Sequence, residues 1–216
     1  MKNNYTQLHL HSSYSLRDST INIDKLIKLA KKSKIKSLAI TDHINMFAAI
    51  KFYQKCIDNN IKPIIGCEIP LKNKLSKQPD GIFIALCQNF DGYKNLIKLI
   101  SEIHVKKRPN ENPGATLEQL DKYNKGILIL TGGRKGIFGS NLLIDNIIEK
   151  TKLAKSLKDT FDDRLYMQVE RTNINNEEIY NNKIILMADE LGLPIVATNG
   201  VLFLEKLDFD AHEVRV

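Results

Sequence analysis

The strand-like segment Tyr5-Thr6-Gln7-Leu8-His9-Leu10-His11 closes on two histidines one residue apart. Alternate residues of a strand point to one face, so His9 and His11 can present both imidazoles to a single ion. The next strand-like run, Ser37–Thr41, closes on Asp42-His43, and the one after it, Pro63–Glu68, ends on a glutamate. Further runs at Ile82–Cys87, Ile127–Thr131, Tyr166–Glu170 and Pro194–Thr198 bring the expected strands to seven. Most are followed by a segment of helical period, the pattern of parallel βα units in an α/β fold. An open doubly wound sheet and a βα barrel both satisfy this alternation.

The intervening segments carry helix signals. Ile23, Leu26, Ile27 and Ala30 fall on one face, with Lys31, Lys32 and Lys34 crowding the C-terminal end, where the helix dipole favours cations. A second helix is predicted from about Asn45, with Phe47, Ile50, Cys56 and Ile57 as its apolar residues. A third runs through Tyr93, Leu96, Ile97, Ile100 and Ile103. Thr116-x-x-Gln119 reads as a capping box, Ser140 as the cap of the next helix, and Leu191-Gly192-Leu193-Pro194 as the stop of the last. Lys107 to Ala115 is the one long loop.

If the strands are parallel, their C-terminal ends share one rim, and there stand His9, His11, Asp42, His43 and Glu68, with Asp18 in the first loop. Imidazoles and carboxylates together suit Zn²⁺, Mn²⁺ or Fe²⁺ better than Mg²⁺ or Ca²⁺. Singly, Asp42 reads as a helix cap and Glu68 as a strand end. Gly132-Gly133-Arg134-Lys135-Gly136 invites phosphate binding through Arg134 and Lys135, although it lacks P-loop spacing. His104 and His212 read as surface or packing groups.

Composition narrows the class. With 216 residues and 43% apolar content the chain can bury a substantial core. Three cysteines without C-x-x-C spacing suit a reduced, cytoplasmic protein, and no apolar run is long enough for a membrane span. The net charge of +7 rests on lysine, only six of 32 basic residues being arginine, which reads as a solvated surface more than a nucleic-acid face. The last residues, through Asp210-Ala211-His212-Glu213-Val214-Arg215-Val216, stop with their apolar spacing unfinished, as in a fragment of a longer chain.

His9-Leu10-His11-Ser12, Thr41-Asp42-His43 and Lys62-Pro63-Ile64-Ile65-Gly66-Cys67-Glu68 resemble the polymerase and histidinol phosphatase (PHP) family. Phe90-Asp91-Gly92-Tyr93-Lys94-Asn95-Leu96, Leu130 to Gly136, Val196 to Asn199 and Asp210 to Val216 narrow the likeness. They resemble the N-terminal PHP domains of bacterial DNA polymerase III alpha subunits of proteobacterial type. The resemblance implies a single PHP domain over residues 1–216, folded as a distorted seven-stranded, TIM-like βα barrel, at the start of a longer polymerase chain. It implies a trinuclear metal site with up to nine ligands in active members, of which His9, His11, Asp18, His43 and Glu68 stand in ligand positions here. Other ligand positions are changed: Ile82, Gly133 and Thr172 replace a histidine, a cysteine and a histidine, and Gly200-Val201-Leu202 replaces an Asp-x-His.

Isoleucine and leucine donate no lone pair, so a full cluster is excluded and one Zn²⁺ or Mn²⁺ is the expected occupant. The resemblance further implies a DNA-directed DNA polymerase using Mg²⁺ beyond Val216, DNA held mainly by those other parts, and an epsilon proofreading subunit and other replicase subunits as partners. The domain itself is expected to be a structural and docking module. A metal-dependent phosphodiesterase or 3′–5′ proofreading exonuclease is the alternative, and a free-standing histidinol-phosphate-type phosphatase is a third reading.

Overall fold

The computed structural model describes residues 5–16, 18–72, 81–139 and 147–215. It is an α/β chain that forms two compact units, Met1–Glu68 with Gly200–Val216, and Ile69–Asn199. Six strands are present among the described residues: β1 (Ser37–Ile40), β2 (Lys62–Pro70), β3 (Ile82–Cys87), β4 (Ile127–Leu130), β5 (Leu165–Val169) and β6 (Ile195–Ala197). The α-helices among the described residues are α1 (Ile23–Lys32), α2 (Ala49–Asp58), α3 (Phe90–Val105), α4 (Leu117–Tyr123), α5 (Ile147–Phe161), α6 (Glu177–Leu191) and α7 (Phe209–Arg215).

In the first unit β1 and β2 pair in parallel, Ser37 opposite Lys62 through Ile40 opposite Ile65. The expected strand over Tyr5–His11 makes only isolated bridges, Gln7 to Leu38 and Leu10 to Val201. Its ladder is interrupted where the Leu10 N–H donates to the Thr41 hydroxyl, 2.9 Å away. Beneath these segments Leu10, Ile21, Ile23, Leu26, Ile27, Leu38, Ile40, Phe52, Cys56 and Ile61 pack into one core. The α1 face read from the sequence is the buried one, and Asn22 caps the helix by accepting the N–H groups of Asp24 and Lys25. In α2 the prediction fails in two respects. The helix starts at Ala49, and Ala49, Phe52 and Cys56 are buried while Phe47, Ile50 and Ile57 are exposed. The i, i+3, i+7 spacing of Ala49, Phe52 and Cys56 competes with the larger residues, and it is the face turned to α1, where Lys51 and Lys55 reach Asp24 at 3.3 and 2.9 Å.

In the second unit the strand order is β3-β4-β5-β6. The β4–β5 and β5–β6 pairs are parallel, but β3 and β4 are antiparallel, with Ile84 opposite Leu130 and Cys87 opposite Ile127, which corrects the all-parallel expectation. A single crossover helix returns the chain for a parallel strand. Here two helices, α3 and α4, intervene, so the chain re-enters from the other end. The capping box at Thr116 and Gln119 is formed, and Gly192 ends α6 in the left-handed conformation, both as predicted. Ser140 lies outside the described residues. Cys56, Cys67 and Cys87 are free thiols, and burial pushes those of Cys56 and Cys87 up to about 12. No helix among the described residues is long and apolar enough to cross a membrane.

Glu102 joins α3 to α4. Its carboxylate accepts from Lys106 and Lys122, each at 2.8 Å, from the Tyr123 hydroxyl at 2.6 Å and from Gln119 at 3.3 Å. Those donors, Lys106 and Lys122 foremost, hold its carboxyl well below the usual carboxylate value of 4.5. A depressed carboxyl contributes stability that is complete above the unfolded value and lost as pH falls toward the folded one. Glu102→Gln is therefore expected to lower the melting temperature at neutral pH, with the gap from the unsubstituted chain narrowing in acid below pH 4.5. Melting curves of both proteins across pH check it.

Candidate metal centre

The parallel register of β1 and β2 builds the site. Ser37 faces Lys62, and the same offset carried past the end of β1 sets His43 opposite Glu68 of β2 as a parallel bridge. The 7–11 segment lies on the other side of β1, with the Thr41 N–H donating to the Leu10 carbonyl at 2.8 Å. Leu10 points into the core, so His9 and His11 share the opposite face, as their spacing predicts.

Glu68 is the centre of the cluster. Its Oε2 is 2.8 Å from His9 Nε2 and 3.1 Å from His11 Nε2, and its Oε1 is 2.7 Å from His43 Nδ1. The ligand atoms of His9, His11 and Glu68 all lie within 4.8 Å of one another, and all three residues are buried. Burial alone would raise the Glu68 carboxyl, but His11, His43 and His9 together hold it well below its ordinary range. For His43 burial favours the neutral ring, yet the carboxylate of Glu68 and the charge of Asp18 raise its pKa.

The donor set fits a divalent ion. His9 Nδ1 and both ring nitrogens of His11 are buried without a hydrogen-bond partner, the approach of His11 Nε2 to Glu68 lacking hydrogen-bond alignment. Buried polar atoms left unpaired are costly, and a cation accepting nitrogen lone pairs beside a carboxylate relieves that cost. Strain also gathers here. Ile44, between His43 and Asn45, has φ 51°, a conformation a β-branched residue adopts at a cost of roughly 1–3 kcal/mol. Its N–H donates to the Glu68 carbonyl at 2.8 Å, which fixes the turn.

Thus His9, His11, His43 and Glu68 come together, whereas Asp18 is half-buried and touches the cluster through its charge on His43. Asp42 caps no helix; its carboxylate accepts hydrogen bonds from Ser12 and Ser15, to which the sequence assigned no role of their own. The positions where the resemblance implied changed ligands make contacts of other kinds. Gly133 has φ 64°, and a Cβ there would overlap the Glu170 carboxylate, which accepts the Arg134 N–H at 3.1 Å. An internal carboxylate thus sits on the backbone amide of the glycine turn, and the Arg134 side chain is half-buried while Lys135 is exposed. The Thr172 hydroxyl donates to Glu177 at 2.8 Å. The Leu202 carbonyl accepts from the Thr20 N–H at 3.1 Å, and that of Ile82 from the Ile137 N–H at 3.0 Å.

Residues 7–172 match the PHP domain family. The chain belongs to the PHP family. Among its relatives, the DNA polymerase III subunit alpha of Pseudomonas fluorescens is 35% identical over 216 residues, all of this chain and 18% of that protein. The subunit from Escherichia coli K12 is 34% identical over 212 residues, 98% of this chain and again 18% of the relative. This PHP chain therefore spans about a fifth of the length of those relatives. Two solved structures share its fold. An amidohydrolase from Chromobacterium violaceum superposes with a TM-score of 0.61 at 13% identity, covering 97% of this chain and 96% of that one. A protein from Bifidobacterium adolescentis described as a metal-dependent phosphoesterase gives 0.57 at 11% identity, with coverage of 97% and 96%.

Proposed function

We propose that residues 1–216 are a single PHP domain of a bacterial replicative DNA polymerase alpha subunit, a structural and docking module that retains one metal position of a degenerate site. The observation that carries this reading is the 34–35% identity to alpha subunits across 98–100% of the chain. That the family match runs from residue 7 to residue 172, across both compact units, supports treating them as one domain. The bridges of the 7–11 segment to Leu38 and Val201 support a seventh strand position and the distorted βα barrel of the family.

His9, His11, His43 and Glu68 would hold one Zn²⁺ or Mn²⁺, with Asp18 contributing charge. A bound divalent ion supplies Lewis-acid charge for polarising a phosphate or lowering the pKa of water. Phosphoester hydrolysis is usually served by paired ions that stabilise both attacking and leaving oxygens. Ile82, Gly133 and Leu202 offer no side-chain donor for a second ion, and Thr172 is bonded to Glu177, so the phosphodiesterase and proofreading alternative is not favoured.

In the whole protein, DNA synthesis with Mg²⁺ and most DNA contacts would belong to segments outside these residues, and the setting would be the cytoplasmic replicase. An epsilon proofreading subunit is the partner the family suggests. The core of the first unit is made of apolar residues beneath the site, so the surface can outlive the ligands. Titration of this chain with its cognate epsilon subunit is expected to give the same affinity with and without chelator. Absence of binding, or binding abolished by chelator, would contradict a metal-independent docking role.

A further inference from the structure

Asp42 is 1% exposed, and a buried carboxylate is tolerated only when fully hydrogen-bonded. Its Oδ1 accepts the Ser12 N–H at 2.6 Å and the Ser15 hydroxyl at 2.6 Å, and the Ser12 hydroxyl lies 2.8 Å from Oδ2. Each donor is tied to a metal-site residue. Ser12 follows His11 directly, and Ser15 Oγ in turn accepts the His43 N–H at 3.1 Å. The loop between them is closed on itself, with the Ser15 N–H on the Ser12 carbonyl and the Asp18 N–H on the Ser15 carbonyl. Asn45 adds a second tie, its Nδ2 donating to the carbonyls of Tyr14 and His43 at 3.1 and 3.0 Å.

We propose that Asp42 is the positioning residue of the metal centre: its carboxylate clamps the segment after His11 to the turn bearing His43, fixing both imidazoles about Glu68. The proposal rests on the metal-binding reading above. The clamp explains how ligands from three separate segments, 9–11, 43 and 68, keep one register when the first segment lacks a continuous ladder to β1. It also gives Asp18 its place, since the loop that carries Asp18 hangs from Ser15.

The test is a Co²⁺ titration of the chain followed by visible absorption, with far-UV circular dichroism and melting of each metal-free protein alongside. Asp42→Ala is expected to weaken Co²⁺ binding about 10–100-fold, the usual cost of losing an outer-shell partner of a metal ligand, and to change the shape of the absorption band. Asp42→Asn keeps an acceptor oxygen for the Ser12 N–H and the Ser15 hydroxyl, so it should recover most of the lost affinity. Ser15→Ala, which leaves Asp42 bonded to Ser12, should fall between and carries the test if Asp42→Ala does not fold. Unchanged Co²⁺ affinity in Ser15→Ala and in any folded Asp42→Ala would overturn the clamp. Loss as large in Asp42→Asn as in Asp42→Ala would make Asp42 a ligand instead, also overturning it. No Co²⁺ band in the unsubstituted chain would overturn the metal reading and the clamp together.

Discussion

His9→Ala is expected to lower the Zn²⁺ affinity of this chain by more than the roughly 10–100-fold that loss of an outer-shell partner costs, because it removes a ligand itself. His9 Nε2 sits 2.8 Å from Glu68, and His9 shares one face of its segment with His11. Without it, His11, His43 and Glu68 leave one side of a tetrahedral ion to water. The apolar core beneath is built from other residues, so the variant should keep its far-UV circular dichroism. Calorimetric titration of Zn²⁺ into both proteins measures the difference, and equal affinities would remove His9 from the site.

The second large effect lies in the Phe90–Leu96 segment and concerns stability. Gly92, in the first turn of α3, is so close to the turn before β4 that a Cβ would overlap the Gly126 carbonyl. Asn89 holds the same junction, its Oδ1 accepting the Gly92 N–H at 2.9 Å, while the Gly126 carbonyl accepts the Gln88 N–H. Both partners in the overlap are backbone, so a rotamer change cannot relieve it. Gly92→Ala is expected to cost about 3 kcal/mol, at the upper end for overpacking, despite the better helix propensity of alanine. At about 2–4 °C per kcal/mol for a chain of this size, melting should fall by about 6–12 °C. An unchanged melting temperature would show that α3 can slide away from Gly126.

Six of the seven expected strands stand where period and flanking residues place them, and the α1 face, the capping box and the Gly192 stop follow from local chemistry that acts within one turn. What was illegible depended on distant partners. The interruption of the first strand comes from the Thr41 hydroxyl, 31 residues from Leu10. The antiparallel β3–β4 pair depends on how α3 and α4 return the chain, and alternation of strand and helix is the same either way. The exposed Ile50 and Ile57 show the limit of period alone, since α2 has two apolar stripes and the one carrying Ala49, Phe52 and Cys56 is buried.

At the candidate site, His-x-His spacing put His9 and His11 on one face, and the structure sets both, with His43, around Glu68 inside β2. Asp18 joined by charge alone. Asp42 was visible as a residue but not as a clamp, because Ser12 and Ser15 look like ordinary loop serines until their hydroxyls meet a buried carboxylate. The resemblance to the PHP family implies that Gly133 stands at a ligand position. Only the structure reveals that its place is filled by Glu170.

In the function proposed above, one metal position survives in a site that has lost its other ligands. The number of divalent ions bound per chain tests it most directly, measured by elemental analysis of protein purified without chelator, loaded with Zn²⁺ or Mn²⁺ and freed of excess. One ion per chain, lost in His9→Ala, is the predicted result. Three ions per chain would mean that a full cluster persists through ligands not identified at Ile82, Gly133, Thr172 and Leu202, and none would mean that the buried His9, His11, His43 and Glu68 cluster holds itself together without a metal.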